Sequence, residues 1–432
     1  MSSSTSSRIN RRQIAKAAAA APLVTAGMLA AGSGSAMAQD KKEVRIISYT
    51  VNESWDAKIQ EMLDSFNAES QLANATIEFR PAEQYWEKLQ TEFAGGNTPD
   101  ITLVNSEWTG AGAARGMFVD LNPLYERDGV DLSDLWYDME PEWGWEGGMY
   151  GALLYAGGQA FYVNKGLLEA AGESMPSADW TWDDLLASAQ KLTDADNGQF
   201  GLFVAPLGPP HWSCSFIHGA GGTVLNDARD ECTLNSEEAR AGLQWLVDAI
   251  VEHKVMPTPG AFEGQDNPFL SGKIAYFIGG TWEEAAIRTT DIDWDFVPMP
   301  KHPTTGVTSV QLGSNAWSML STTSDQDASW EVMQFLGGPV AAQALLTLGV
   351  PGYNSVIESQ EYLDLHAPQD ISIVINDFQN FGHDYYTTPD SAEWINAVNN
   401  EFGPMWIGED TVENSTQRAT DAVNDIFAFR DF

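Results

Sequence analysis

The chain has few basic residues, few cysteines and no long hydrophobic run beyond residue 31. Its 432 residues contain 22 Lys and Arg against 61 Asp and Glu, which gives a formal charge of −39. The acidic residues are spread through every segment rather than gathered in a tail, which predicts a solvated acidic shell like that of halophilic proteins. So negative a surface argues against nucleic acid as a partner and disfavours strongly anionic ligands.

Residues 1–38 are typical of an export signal rather than of a folded domain. Asn10–Lys16 resembles a twin-arginine signal, and Ala36-Met37-Ala38 fits a small-residue cleavage site. The alternative, a membrane anchor, is disfavoured because Ala17–Ala31 is too short and too rich in Ala and Gly to span a bilayer well. No cysteine lies near the cleavage site, which excludes lipid attachment there. We therefore expect an unanchored protein, exported by the twin-arginine route to a periplasm or its equivalent.

The motifs of common cofactor sites and hydrolases are absent. The sequence has no GxGxxG, GxxxxGK[ST], CxxC, HExxH or GxSxG. A calcium loop that started at Asp194 would need Glu at position 205, where Ala205 stands, so Asn197-Gly198 is better interpreted as a hairpin turn. The six histidines have no ligand-like spacing. We expect no cofactor, no metal and no enzymatic activity.

The two cysteines, Cys214 and Cys232, leave one possible disulfide. In an exported protein an even count predicts that they are bonded, which would close a loop of roughly 18 residues and add about 3 kcal/mol of stability. Two buried thiols are the alternative.

Without the 38-residue leader the chain keeps 394 of its 432 residues, too many for one comfortable core, so two lobes are expected. Near the N-terminus, β-type apolar runs alternate with segments of helical periodicity, which predicts βαβ units and a mostly parallel sheet. The predicted order is strand Val44–Thr50, helix Ala57–Glu69, strand Thr76–Arg80, helix Tyr85–Phe93 and strand Ile101–Val104.

The segment Tyr150–Leu192 has the most specific order of features. A strand-like run, Ala160–Val163, stops at Asn164-Lys165 and leads into a short amphipathic helix that closes on Gly172. A loop then reaches Thr181-Trp182-Asp183-Asp184, where a Thr N-cap opens a second helix. This order closely resembles the extracellular solute-binding proteins of ABC importers, in the sugar-binding group with the maltose- and oligosaccharide-binding proteins.

Four further segments resemble the same family in the same order. Gly95–Ile101 resembles its entry into a buried strand, and Asn267–Trp282 resembles its F-x-x-G-K-x-A-aromatic segment with a following G-x-W. Leu312–Met319 and Gly349–Asn354 stand where the family places later cleft segments.

The resemblance implies an α/β fold of two lobes, each a mostly parallel sheet flanked by helices, joined by three crossings of the chain. We place the crossings near Leu154–Gly158, Val310–Ser314 and Pro351–Asn354, all in or beside glycine. Lobe 1 is then predicted to comprise residues 43–154 and 311–352, and lobe 2 residues 155–310 and 353–432. The ligand cleft should lie between them, at the carboxyl ends of the strands.

The resemblance also implies that a neutral mono- or oligosaccharide is captured in the cleft and delivered to the permease of an ABC importer by a monomeric binding protein. Two alternatives remain at this stage. A cationic ligand such as a polyamine would suit aromatic rings, carboxylates and negative charge. A secreted carbohydrate-active hydrolase would need two carboxylates in a fixed geometry.

Sugar rings stack their C–H faces on aromatic planes, and carboxylates and amides bind their hydroxyls. Glu107-Trp108 directly follows the third strand, although it could instead pack on its own lobe. Trp282-Glu283 follows Gly279-Gly280-Thr281 and matches a stacking Trp of the family. Tyr85-Trp86 is interpreted as core from its helical spacing with Leu89. The predicted ligand-binding residues are Glu53, Trp55, Glu107, Trp108, Tyr155, Trp212, Trp282, Glu283, Asn315 and Tyr353.

Overall fold

The structure is a computed structural model that describes residues 41–50, 53–205, 208, 211–262, 267–346 and 349–430. The predicted leader, residues 1–38, lies outside the described residues. Within the described part of the chain, no helix is long and apolar enough to cross a membrane.

Eleven strands and seventeen α-helices occur in the described residues. The strands are β1 (Lys42–Tyr49), β2 (Ala73–Arg80), β3 (Ile101–Asn105), β4 (Gly144–Trp145), β5 (Gly148–Met149), β6 (Ala152–Asn164), β7 (Phe200–Val204), β8 (Ile274–Gly280), β9 (Trp294–Phe296), β10 (Val310–Met319) and β11 (Gly382–His383). The helices are α1 (Glu53–Glu69), α2 (Tyr85–Gly95), α3 (Thr109–Ala114), α4 (Asn122–Asp128), α5 (Glu140–Trp143), α6 (Lys165–Ala171), α7 (Trp182–Leu192), α8 (Ser213–Gly219), α9 (Glu237–Val251), α10 (Glu284–Ile287), α11 (Gln326–Leu336), α12 (Pro339–Ala344), α13 (Asn354–Ile357), α14 (Gln360–His366), α15 (Ser372–Phe381), α16 (Ser391–Trp406) and α17 (Val412–Ala428).

The five predicted N-terminal elements are confirmed as β1, α1, β2, α2 and β3, with ends shifted by a few residues. The two helix starts predicted after β6 are also present. The side chain of Asn164 accepts a hydrogen bond from the backbone N–H of Leu167 at 3.2 Å and so caps α6. Thr181 and Asp184 form a reciprocal capping box at the start of α7. Local side-chain chemistry therefore fixes where these helices begin.

The main sheet has the strand order β2-β1-β3-β10-β6-β8-β7, with β9 beside β6 and β11 beside β10. Strands β1, β2 and β3 pair in parallel, as do β7 and β8. The sheet is nevertheless mixed rather than mostly parallel. Strand β10 runs antiparallel to both β3 and β6, and β6 runs antiparallel to β8. The two parallel groups are thus joined through long strands of opposite direction, which the βαβ pattern of the N-terminal segment does not reveal.

Two long strands belong to both halves of the sheet. The first half of β6 pairs with β10, whereas its residues from Gln159 to Val163 pair with β8. The register of β6 and β10 shifts beside Asn315, where Tyr155 pairs with Asn315 but Leu153 pairs with Ala316. This irregularity is a β-bulge, which bends a strand locally.

The third predicted crossing lies beside the other two. Ala156 of β6 exchanges two backbone hydrogen bonds with Val350, at 3.1 and 3.2 Å. The three predicted crossing segments therefore lie next to one another in the middle of the sheet. The exact limits of the lobes stay a prediction.

We call the part built on β1, β2 and β3 lobe 1 and the part built on β7, β8 and β9 lobe 2. Each has its own buried hydrophobic core. Lobe 1 packs Leu63, Trp317 and Trp330 around β1 and β3. The larger lobe 2 core includes Trp182 and Trp394. A further cluster of lobe 1 contains Tyr85, Trp86 and Trp143. Separate cores in the two parts give the two-lobed fold expected from the length of the chain.

The predicted disulfide is wrong in this structure, because Cys214 and Cys232 are both free and buried. The two residues face different neighbours. Cys232 directs its sulfur at the hydroxyl of Thr420 in α17, 3.8 Å away, and its backbone N–H donates to the side chain of Asn424. Cys214 lies in α8, close enough to Tyr385 to interact with it electrostatically. The alternative of two buried thiols therefore describes this chain.

Candidate functional site

A hydrogen-bonded group of three side chains lies at the bulge between β6 and β10. The hydroxyl of Tyr49, at the end of β1, donates to Oδ1 of Asn315. Nδ2 of Asn315 in turn donates to the hydroxyl of Tyr155 at 2.9 Å. The Tyr155 hydroxyl accepts this bond and also interacts with the hydroxyl of Tyr49. We call Tyr49, Tyr155 and Asn315 the cleft floor.

An aromatic stack of lobe 1 lies beside the cleft floor. Trp108 follows β3 in a short turn that begins where the side chain of Asn105 accepts from the backbone N–H of Glu107 at 3.1 Å. The ring of Trp108 is parallel to that of Trp86, with centroids 5.5 Å apart, and lies edge-on to Tyr49 at 6.4 Å. Trp86 is buried and Trp108 only partly so. Tyr85 also stacks on Trp108, with centroids 6.1 Å apart, so core rings cover much of Trp108 and only part of its ring remains exposed.

Glu107 contributes a carboxyl group to a cavity of about 360 Å³ next to this stack. No donor among the described residues forms a hydrogen bond with this carboxyl group. Burial without such donors raises the pKa of Glu107 to about 7. Its charge therefore changes near neutral pH. The cavity is lined by Ala82, Gln84, Tyr85, Trp86, Glu87, Glu107, Trp108, His211, Ser391, Ala392, Ile395, Asn396 and Asn399.

Trp282 of lobe 2 reaches the same floor from the other side. It lies in a short turn directly after β8, and its side chain is 43% exposed. A Cβ at Gly157 would lie 3.4 Å from the ring of Tyr155 and 3.7 Å from that of Trp282, so both rings meet at this glycine. The ring of Trp282 also covers Gly280, where no side chain would fit. The glycines predicted to allow close approach thus admit an aromatic ring.

The segment 382–390, which we call the C-terminal strap, places a further aromatic residue at the cleft. The ring of Tyr385 covers Gly313 of β10, and its hydroxyl lies 3.0 Å from Nδ1 of His211. Burial lowers the pKa of His211 to about 4, so the ring is neutral at physiological pH. His211 lines the cavity that contains Glu107. Tyr385 has no recognisable signal in the sequence, because the strap has neither hydrophobic periodicity nor a long strand before it.

Five of the predicted ligand-binding residues are brought together around the floor: Glu107, Trp108, Tyr155, Trp282 and Asn315. Trp212 is only 1% exposed and supports Trp282 from below, at a centroid distance of 5.8 Å. Its predicted role is therefore corrected from direct contact to support. Glu283 accepts a hydrogen bond from Nδ2 of Asn267 at 2.6 Å, which engages its carboxylate within lobe 2.

Two further predicted residues are core residues. Trp55 is 4% exposed and packs in the lobe 1 core, edge-on to Phe79. Tyr353 is also buried, and its hydroxyl donates to the carbonyl oxygen of Gly337 at 2.6 Å. Both predicted ligand contacts are corrected, since neither ring leaves a face open to a ligand. Glu53 begins α1, and its side chain lies outside the described part of the structure. The interpretation of Tyr85-Trp86 as core is consistent with their burial.

Residues 61–365 match the model of the bacterial extracellular solute-binding protein family. The chain belongs to this family. The match covers most of the chain, and it confirms the resemblance inferred from Tyr150–Leu192 and the later motifs. Members of this family are binding proteins, so the expectation that the chain is not an enzyme is confirmed by its family.

Known proteins with this fold are similar over nearly the whole described chain. An ABC substrate-binding protein of Listeria monocytogenes, solved in complex with cycloalternan, superposes with a TM-score of 0.82 at 25% identity, covering 90% of this chain and 100% of that one. A cyclic α-maltosyl-1,6-maltose binding protein of Arthrobacter globiformis gives a TM-score of 0.75 at 21% identity, covering 90% and 99%. The maltodextrin-binding protein of Bacillus subtilis is 22% identical over 330 residues, 73% of this chain and 75% of that one. These similarities confirm the two-lobed fold.

Proposed function

We propose that the protein captures a neutral mono- or oligosaccharide between its lobes and delivers it to the permease of an ABC importer. The observation that carries this proposal is the pair of aromatic surfaces on either side of the cleft floor. Trp108 of lobe 1 and Trp282 of lobe 2 each leave part of a ring uncovered, and hydroxyl and amide groups lie between them. Flat rings with hydroxyl groups at their edges fit such an arrangement.

The relatives support a sugar as the ligand. The Listeria protein was solved with cycloalternan, and the Bacillus relative is named for maltodextrin. The polar groups of the site can form hydrogen bonds with the hydroxyl groups of a sugar. The hydroxyls of Tyr49 and Tyr155 and the amide of Asn315 form a polar floor, and the carboxyl group of Glu107 lacks a hydrogen-bond partner among the described residues.

The charges favour a neutral ligand over a cationic or anionic one. The lining of the 360 Å³ cavity includes no Lys or Arg that would bind a phosphate. Its two carboxyl groups, Glu87 and Glu107, are the groups that a polyamine would use. However, the pKa of Glu107 is raised to about 7, so this carboxyl is not a permanent anion at neutral pH. A carboxyl group that is protonated in part can donate a hydrogen bond to a ligand hydroxyl or accept one from it, whereas an ammonium group is bound best by the carboxylate form alone.

Capture works by coupling binding to closure. A ligand that touches both Trp108 and Trp282 gains its full contact area only when the lobes meet, so it favours the closed state. The closed shape is what the permease would recognise. We further propose that the protein acts as a monomer in the periplasm or its equivalent, after export by the twin-arginine route that Asn10–Lys16 indicates.

Titration calorimetry tests the choice of ligand. We expect binding of at least one neutral sugar from a panel of glucose, maltose, maltotriose and a cyclic glucose tetrasaccharide, and none of spermidine. Small-angle scattering with the saturating sugar should show a smaller radius of gyration than the ligand-free protein. Tight binding of spermidine without binding of any sugar would contradict the proposal, and binding without compaction would contradict capture by closure.

A further inference from the structure

Glu142 is a completely buried carboxylate in α5, where lobe 1 meets the C-terminal strap. It is not among the residues that face the ligand cleft. Its Oε2 accepts a hydrogen bond from the hydroxyl of Ser314 in β10. Its Oε1 accepts one from the backbone N–H of Tyr385 at 3.2 Å. One carboxyl group therefore joins lobe 1, a crossing strand and the strap.

The partners of Glu142 are held by further bonds. The indole N–H of Trp143 donates to the hydroxyl oxygen of Ser314 at 2.8 Å. The strap makes its own bond to lobe 1, from the hydroxyl of Thr387 to the carbonyl oxygen of Ser106 at 3.0 Å. These bonds fix the position of the carboxyl group relative to β10 and to the turn that carries Glu107 and Trp108.

Tyr385, whose backbone N–H donates to Glu142, is also the strap residue whose side chain reaches the cleft. Tyr385 covers Gly313 with its ring and contacts His211 with its hydroxyl. Release of its backbone from Glu142 would remove one of the contacts that hold the ring on β10, beside the pairing of β11 with β10. The bond between Glu142 and Tyr385 thus acts on the cleft through Tyr385.

We propose that Glu142 is a positioning residue for ligand capture, whose carboxyl group holds the C-terminal strap against lobe 1 and β10 so that Tyr385 and His211 face the cleft. The role in capture rests on the function proposed above. The contact between Glu142 and the strap does not, and it can be measured without any ligand.

A carboxyl group in this position makes the contact dependent on pH. Burial raises the pKa of Glu142 to about 7, although the bonds from Ser314 and Tyr385 oppose this shift. Three other ionisable groups interact with it: Asp384, which pairs with Arg229 and adds to the rise, and the buried hydroxyls of Tyr137 and Tyr385. Glu107 acts on the same region through Tyr385.

The raised pKa of Glu142 determines whether low or high pH favours the strapped state. A carboxyl group whose pKa is higher in the strapped state than in water binds its proton more tightly there, so low pH favours the strapped state. The stabilisation is complete below the ordinary value of 4.5 and is lost as pH rises through about 7. A shift from 4.5 to about 7 limits the effect to about 300-fold in the equilibrium, reached only if release hydrates Glu142 fully.

The strap has further anchors besides Glu142, among them the bond of Thr387 to Ser106 and the pairing of β11 with β10. Arg229 donates to the carbonyl oxygen of Pro141 in lobe 1 at 2.9 Å and pairs with Asp384 of the strap. Loss of the Glu142 contact should therefore loosen the strap without unfolding the protein.

Hydrogen exchange on the ligand-free protein tests the contact between pH 5 and 8.5. In the wild type, protection of peptides that cover residues 382–390, corrected for intrinsic exchange, should fall at least threefold as pH rises through about 7. In Glu142→Gln the side chain is uncharged at every pH, so protection should stay at the low-pH level of the wild type. Asp377→Asn is the control. Asp377 is also buried with a pKa raised to about 6, but its carboxyl group accepts hydrogen bonds from the backbone N–H of Met299 and from the side chain of Asn376. Among the described residues it makes no hydrogen bond with Ser314 or the strap, so this variant should keep the wild-type profile.

Affinity for the tightest sugar of the panel tests the role in capture. The ratio of the dissociation constants of wild type and Glu142→Gln should rise at least threefold from pH 5.5 to pH 8, because only in the wild type does the strap loosen at high pH. Taking this ratio cancels any effect of Glu107, which both proteins share.

A strap that is equally protected at all pH values in the wild type, or a Glu142→Gln variant that keeps the wild-type profile, would overturn the proposal. If no sugar binds but the exchange profile is as expected, the proposed function fails and the contact stands. If sugar binds but the ratio of the two dissociation constants does not change with pH, only the role of Glu142 in capture is refuted.

Discussion

Replacement of Trp282 by Ala tests the proposed site most directly. This side chain is partly exposed beside the cleft floor and therefore contributes little to the stability of the fold. Its ring lies over Gly280 and meets Tyr155 at Gly157, while Trp212 fills the space behind it. With 43% of the side chain exposed, truncation removes a surface that water already reaches. We therefore expect a large effect on affinity and a small one on stability.

The size of the effect follows from the exposed area. A Trp side chain presents roughly 250 Å², and 43% of it is uncovered, so a bound ring covers at most about 110 Å². At about 25 cal/mol per Å², complete coverage is worth about 2.7 kcal/mol and coverage of half that area about 1.3 kcal/mol. We expect Trp282→Ala to weaken binding by about 1–3 kcal/mol, or about 5- to 150-fold in Kd.

Calorimetry with the tightest sugar of the panel measures this loss, and a thermal melt checks the fold. Trp282→Phe keeps an aromatic plane and should recover part of the affinity. Trp245→Ala is the matched control, because Trp245 is a partly buried Trp of lobe 2 that packs on Trp182 and Phe216 instead of the cleft. The control should lose stability and keep its affinity. An unchanged Kd in well-folded Trp282→Ala would refute the placement of a sugar ring on Trp282.

Two further predictions concern the whole molecule. Cys214 and Cys232 are free and buried, and burial raises the pKa of both thiols, so a thiol reagent should modify neither in the native, unreduced protein and both after denaturation; a cross-linked peptide in a non-reducing map would contradict the free thiols. The predicted leader, residues 1–38, carries four basic residues and no acidic ones, so its removal would take the formal charge from −39 to −43. Because self-repulsion is screened over about 30 Å at 0.01 M salt but only about 3 Å at 1 M, Tm should rise with added salt, and a Tm that is constant over this range would count against the acidic-shell interpretation.

The sequence predicted best the parts of the fold that local chemistry determines. The cap at Asn164, the capping box at Thr181 and the apolar spacing of α1 act within a few residues, and each of these elements is present. The antiparallel pairing of β6 with β10 was not foreseen, because it joins residues about 160 positions apart. Pairing over such distances depends on the tertiary fold rather than on periodicity.

Only part of the candidate site was predicted, because contacts between distant segments leave no local signal in the sequence. A position directly after a strand brings a residue to the end of the sheet, and Trp108 and Trp282 do lie directly after β3 and β8, while their contact with a ligand stays a prediction. The same rule fails for Trp55, since it does not tell whether the following ring turns outward or into the core. Tyr385 and Glu142 were missed because their roles depend on contacts between distant segments, and neither has a local signal.

The glycines of the crossing strands connect the fold to the proposed mechanism. They were predicted as points where strands bend, and the structure shows that they also make room for side chains. Gly313 accommodates the ring of Tyr385, and Gly157 lies where Tyr155 and Trp282 meet. A rotation of the lobes about these strands would therefore move the rings that contact a ligand together with the backbone that bends. Closure and the assembly of the aromatic surfaces would then be one motion, which is the coupling that capture by a two-lobed binding protein requires.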